Sequence, residues 1–170
     1  MNGFQFSLKQ NIIFSPGAIK KVPELLKENN VSKVLIVSDR MLEKVGLIHK
    51  LTILLEEASL EWKCFLDVEP NPSAEIVEAA AEYYKACGAD ALVAIGGGSS
   101  MDVAKATAVL ATCGGKIVDY EGSGKISGEM IPLIAIPTTA GTGSEATRTA
   151  VITDQSRNYK FCIVGDEILQ

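Results

Sequence analysis

The stretch "AIGGGSSMDVAKA", Ala94 to Ala106, sets three glycines, two serines and an aspartate between an apolar run and a segment that reads as helix. Gly96, Gly97 and Gly98 remove every Cβ at that junction, so a ligand oxygen can approach the backbone N–H groups. A helix N-terminus adds unpaired N–H donors and about half a positive charge, which suits a phosphate. Ser99 and Ser100 add hydroxyl donors. A local role competes with this one, because Ser99-x-x-Asp102 has the spacing of a capping box. A cap needs one serine, however, and no run of glycines. Two motifs are excluded. Met101 stands where G-x-G-x-x-G requires its third glycine, and no Gly-Lys-Ser/Thr end follows to make a P-loop.

A second constellation is "PTTAGTGSEATRT", Pro137 to Thr149, with six hydroxyl residues and two glycines in thirteen positions. Such hydroxyls can bond phosphate, ribose or adenine, or merely their own backbone in a polar turn. G-x-S-x-G is not formed around Ser144, and the one histidine, His49, lies far away in sequence, so a Ser-His-Asp triad is not supported. Asp39 closes the apolar run "KVLIVSD". A carboxylate there can accept hydrogen bonds from an adenosine ribose and repel a 2′-phosphate. It can equally cap the helix that follows.

These residues need elements to hold them. "KVLIVSD", "EWKCFLDV", "ALVAIG" and "MIPLIAIP" read as strands, the first, third and fourth as near-continuous apolar runs. "PGAIKKVPELLKENN" reads as a helix with Pro23 in its first turns or at a kink. One long helix is expected from Met41 to Ser59. Ser73 is placed to cap "AEIVEAAAEYYKAC", with Gly88 closing it. "SSMDVAKATAVLATC" is helix ended by Gly114–Gly115. Residues 4–15, "FQFSLKQNIIFS", have β-character, and the last third suggests two strands joined by a turn from Asp154 to Asn158. Strand and helix thus alternate four times, which predicts an α/β fold: a parallel sheet flanked by helices on both faces, with a short N-terminal β segment and a C-terminal β-hairpin. Ligands of such sheets bind beyond the strand ends. Asp39, Asn71, the Gly96–Ser100 turn and the Pro137–Thr142 turn should therefore converge.

Composition narrows the function classes. The 170 residues suit one domain and carry a net charge of −5 with acids and bases interspersed, so no nucleic-acid groove or anionic-membrane patch is indicated. No apolar run approaches the length of a membrane span and the N-terminus lacks a signal-peptide pattern, so a soluble, cytoplasmic protein is expected. Cys64, Cys87, Cys113 and Cys162 form no CxxC pair and read as buried free thiols. With a single His, a zinc site made by this chain alone is not expected.

"GGGSSMDVAKA" together with "PTTAGTGSEATRTAVITD", preceded by "SD" at Asp39 and "EPNPS" at Glu69 to Ser73, resembles the iron-containing (group III) alcohol dehydrogenases across nearly the whole chain, in order and spacing. The resemblance implies that residues 1–170 form an NAD-binding domain, followed in the family by an all-helical domain. It implies that Asp39 meets the adenosine ribose and favours NAD over NADP. Gly97, Gly98 and Ser99 would hold the pyrophosphate with Asn71 nearby, and Asp102 would lie towards the nicotinamide. Thr138, Thr139, Thr142 and Thr147 would line the adenine and phosphate path, and Lys160 would reach the nicotinamide ribose. In the family an Asp and three His bind a divalent metal, iron or zinc. Asp166 lies before the position expected for that Asp, and no histidine follows His49, so this chain is expected to be the cofactor half of a dehydrogenase without catalysis of its own. An alcohol or aldehyde would be the substrate of the full-length enzyme, and a homodimer through the N-terminal domain, with the β-like N-terminal segment available for that contact, is a further implication. Glycerol dehydrogenase and dehydroquinate synthase relatives share the glycine-rich turn, but "GTGSEAT" followed by "AVITD" favours the alcohol dehydrogenase branch. A non-catalytic nucleotide-binding module is the remaining alternative.

Overall fold

The computed structural model describes residues 10–168. Four strands, β1 (Lys33–Val37), β2 (Glu61–Phe65), β3 (Ala91–Gly96) and β5 (Leu133–Pro137), form an all-parallel sheet in the order β2-β1-β3-β5. A second, small sheet contains β4 (Gly122–Ser123), β6 (Thr149–Asp154) and β7 (Tyr159–Val164), with β6 and β7 antiparallel.

Alternation along the central strands explains why both faces of the parallel sheet must be covered. Val34 and Ile36 of β1 point, with Ala91, Val93 and Ile95 of β3, into a core shared with α1 (Val22–Glu28) and α3 (Leu47–Glu57). Leu35, Val37, Leu92 and Ala94 point the other way, towards α4 (Ala74–Cys87) and α5 (Gly98–Cys113). The chain runs from β1 to β2 on one side of the sheet's start. It then returns past β1 to β3, so the connecting helices change faces between β1 and β3. That reversal opens a crevice beyond the C-terminal ends of those two strands.

Helix α5 is buried without interruption from Ser100 to Leu110, save the half-buried Asp102, because the parallel sheet, α4 and the β6–β7 hairpin surround it. A helix so enclosed has no polar stripe. Ala104, Ala106 and Ala108 allow the close approach.

The sequence expectations are modified at several points. The long helix expected from Met41 to Ser59 is two, α2 (Arg40–Lys44) and α3, separated by Gly46 in the left-handed conformation at φ 78°. An amide-to-carbonyl bond from Gly46 to Glu43 closes the break. Pro23 sits within the first two positions of α1, after a short 3₁₀ turn over Ala18–Lys21. Residues 4–9 of the N-terminal β segment lie outside the described residues, and 10–15 carry no strand. The thiols are free, but Cys64, Cys87 and Cys113 are half-buried and Cys162 is exposed, on the outward face of β7. The C-terminal hairpin forms as expected, its turn held by Asp154. That carboxylate accepts from the Ser156 amide (2.9 Å), the Ser156 hydroxyl (2.6 Å) and the Arg157 guanidinium (2.5 Å).

Candidate functional site

The crevice between β1 and β3 is an open cleft of about 590 Å³. Its walls are the β1–α2 connection (Asp39 to Leu42), the segment after β2 (Leu66 to Pro70), the β3–α5 turn (Gly97 to Ser100) and the residues after β5 (Thr138 and Thr139). Six of the eleven residues singled out from the sequence line it: Asp39, Gly97, Gly98, Ser99, Thr138 and Thr139.

Its floor is tied together by hydrogen bonds. The buried Ser38 hydroxyl donates to the Ile95 carbonyl at 2.6 Å, joining the ends of β1 and β3. The Thr138 amide donates to the Gly96 carbonyl at 2.8 Å, joining β3 to the β5 loop. The glycines then serve distinct ends. A Cβ on Gly96 would lie 2.7 Å from Ser100 Cβ, so the first glycine is required by the protein's own packing. A Cβ on Gly97 would stand 3.2 Å from Thr139 Oγ1, and one on Gly98 3.7 Å from Thr142 Cβ. The turn and the hydroxyl-rich loop therefore meet face to face.

Helix α5 opens with Gly97 as its N-cap, and no side chain caps it. The capping box Ser99-x-x-Asp102 is not formed. The helix begins one residue before Ser99, and Asp102 turns to the hairpin, where Oδ1 accepts from the Ser144 hydroxyl and Oδ2 from the Val151 amide at 3.1 Å. The first amides of a 16-residue helix are thus left facing the cleft. Such an end attracts an anion.

Asp39 does cap α2: its Oδ1 accepts from the Met41 amide (2.9 Å) and the Leu42 amide (3.0 Å). Both bonds fall on one oxygen, and Oδ2 is available to a ligand.

Five predicted residues lie off the lining. Thr142 packs over Gly98 and donates to Glu145 at 3.1 Å. Thr147 gives its carbonyl to Lys105 Nζ at 2.6 Å. Asp102 holds the hairpin, as above. Asn71, at φ 55°, accepts from Lys160 Nζ at 2.8 Å, a pair joined where the Thr153 amide bonds the Pro72 carbonyl at 2.8 Å.

Lys105 was not singled out by its sequence context, yet it organises the loop. It is 3% exposed, and its ammonium donates to the carbonyls of Ser144, Thr147 and Thr149. Burial pushes its pKa down, while the carboxylates of Asp102 and Glu145 pull it back up. Burial pushes the Asp102 carboxyl up, against the bonds from Ser144 and Val151 and the charge of Lys105. One turn of α5 thereby grips the segment that carries Thr142 and Thr147 and follows Thr138 and Thr139. The clue in the sequence is "VAKATAVLA", where a lysine sits in a helix too apolar to have a wet side.

Fold and cleft together define an α/β domain of the dinucleotide-binding type, with an anion-receptive helix end at the point where the strand order reverses. The match to the model of the family described as iron-containing alcohol dehydrogenase covers residues 9–169, and the chain belongs to that family. It is 45% identical over 152 residues to alcohol dehydrogenase 4 of Schizosaccharomyces pombe, which covers 89% of this chain and 36% of that protein. It is 40% identical over 156 residues to the NAD-dependent methanol dehydrogenase of Bacillus methanolicus, covering 92% and 41%. The crystal structure of a 1,3-propanediol oxidoreductase superposes with a TM-score of 0.93 at 35% identity, covering 99% of this chain and 44% of that one. The chain thus spans well under half the length of the relatives it matches. Among the described residues, no three His, Cys, Asp or Glu are grouped to hold a metal ion, and no helix is long and apolar enough to cross a membrane.

Proposed function

We propose that residues 1–170 form the NAD-binding domain of a metal-dependent alcohol dehydrogenase, which moves hydride between a small alcohol or aldehyde and NAD. The observation that carries this is the uncapped start of α5, facing a cleft at the sheet's switch point in a chain of this family. The residues present fit the coenzyme. The amides of Gly98 and Ser99, with Gly97 giving access, receive the diphosphate, and Thr138 and Thr139 offer hydroxyls from the facing wall. Asp39 Oδ2 accepts from a ribose hydroxyl of the adenosine and disfavours a 2′-phosphate. Thr142 and Thr147 shape the adenine and phosphate path through the loop that Asp102 and Lys105 hold. Asn71 and Lys160, already paired, offer hydrogen bonds towards the nicotinamide ribose, and Asp102 lies on that side. When bound, NAD supplies the hydride acceptor at nicotinamide C4.

The described residues do not make a metal site. The divalent ion that the family name implies, iron or zinc, would be bound by an all-helical domain in the longer enzyme. The chain works in the cytoplasm and pairs with a second copy through its N-terminal segment, where Ile12 and Phe14 are exposed (59% and 98%). Titrating the chain with NAD by calorimetry tests the reading. Saturable binding, tighter for NAD than for NADP, without NADH formation from primary alcohols in the presence of iron or zinc, is the expected result. Absence of NAD binding overturns it, and alcohol-dependent NADH formation overturns the division of labour between the two domains.

A further inference from the structure

Among the described residues, Arg40 is the one cation that lines the cleft, whose lining also includes three carboxylates, Asp39, Asp67 and Glu69. It does not face the cleft freely. Its Nε and Nη2 both donate to Asp67 Oδ1, at 3.1 and 2.6 Å. Asp67 is held opposite Asp39 by an isolated antiparallel bridge between the segments that follow β2 and β1. The pair also forms the wall shared with a neighbouring cleft of about 420 Å³, lined by Cys64, Phe65, Ala79 and Tyr83 as well. The guanidinium is therefore spent on Asp67 at the edge where Asp39 presents its free oxygen.

This arrangement has a consequence for coenzyme choice. A guanidinium is the side chain best shaped to bind a phosphate through two N–H groups. An unpaired arginine next to Asp39 would attract the 2′-phosphate that Asp39 repels. We infer that Asp67 is a specificity-determining positioning residue: by holding Arg40 it keeps the adenosine end of the cleft hostile to a 2′-phosphate. The inference rests on the NAD reading above and assigns to Asp67 and Arg40 the part of the discrimination that Asp39 alone does not supply. The carboxylates of Asp39, Asp67 and Glu69 all oppose a phosphate there, and release of Arg40 reverses the balance.

The experiment is a calorimetric comparison of NAD and NADP binding to the wild-type chain and to Asp67→Asn, Arg40→Gln and the double variant. Asp67 is well exposed (61%), so its loss leaves the core intact; Asp67→Ser serves as a second variant should Asp67→Asn fail to fold. Asp67→Asn is expected to tighten NADP binding about tenfold, the worth of one charge-assisted bond, with NAD changed less than about twofold. The gain should vanish in the double variant and shrink with added salt. Arg40→Gln alone should bind NADP no better than wild type. An NADP-to-NAD ratio unchanged in Asp67→Asn, or a gain that persists without Arg40, overturns the inference while leaving NAD binding in place. Failure of the wild-type chain to bind NAD would instead overturn the reading on which it rests.

Discussion

The starts of α4 and α5 are treated in opposite ways. Helix α4 opens with Ser73, whose hydroxyl accepts from the Ile76 amide at 3.4 Å, and its other end is closed by Gly88 in the left-handed conformation at φ 65°. Helix α5 has Ser99 and Ser100 in its first turn and Asp102 just beyond it, yet opens on a glycine without a side-chain cap. Capping groups were at hand and were not used. The difference separates a helix end closed by its own side chain from one left open, which we propose receives an anion, on a helix enclosed from Ser100 to Leu110 save at Asp102.

The largest effect is expected where the enclosed helix meets its loop. Lys105→Met leaves the carbonyls of Ser144, Thr147 and Thr149 without their charged donor, and should lower the unfolding free energy in urea by about 3 kcal/mol. A loss under about 0.5 kcal/mol would show that solvent can replace the ammonium. Supplying the missing cap comes next. Gly97→Asp places a carboxylate at the end proposed for the diphosphate, and should weaken NAD binding about a hundredfold while the melting temperature holds or rises. Equal loss of both would mean that the 3.2 Å approach to Thr139, and not the anion site, requires the glycine.

Removing the cap that does exist should cost less. Ser73→Ala is expected to destabilise the chain by about 1 kcal/mol without affecting NAD affinity. Smaller still is the cost of Asp39→Asn, since asparagine retains the two bonds that start α2 and drops only the charge. Stability should stay within about 0.5 kcal/mol while the preference for NAD over NADP declines, and an unchanged preference removes Asp39 from that role.

Acid titration supplies a control at a residue outside the lining of the cleft. Bonds from Ser156 and Arg157 hold the Asp154 carboxyl down, from 3.8 to about 2. A carboxylate lowered on folding stabilises the native state above its unfolded pKa, and that support fades as pH falls from 3.8 towards about 2. Asp154→Asn should flatten this part of the acid unfolding curve, read by circular dichroism, and an unaltered slope would contradict the role given to the hairpin turn.

What the sequence makes readable follows from how local each cause is. The buried strands announce themselves as apolar runs, Ser73 and Gly88 bracket α4, and the turn from Asp154 to Asn158 carries its own chemistry. Gly46 does not announce itself, because Val45 and Leu47 continue an apolar pattern across it and only the left-handed backbone reveals the break. The Ser99–Asp102 spacing misleads for a related reason. The partners of Asp102 lie 42 and 49 residues further on, in the loop and hairpin that wrap α5. Convergence of Asp39, Gly97, Gly98, Ser99, Thr138 and Thr139 could be expected, since each follows a strand of one parallel sheet. The bond between Asn71 and Lys160, 89 residues apart, could not, because it depends on where the second sheet docks.

The central claim is that the free amides at the start of α5 receive the diphosphate of NAD. Amide-resolved NMR of the ¹⁵N-labelled chain during an NAD titration addresses it directly. The account predicts saturable shifts and slowed hydrogen exchange concentrated at Gly98, Ser99 and Ser100, absent in Gly97→Asp. Binding of NAD that leaves those three amides unperturbed would contradict it.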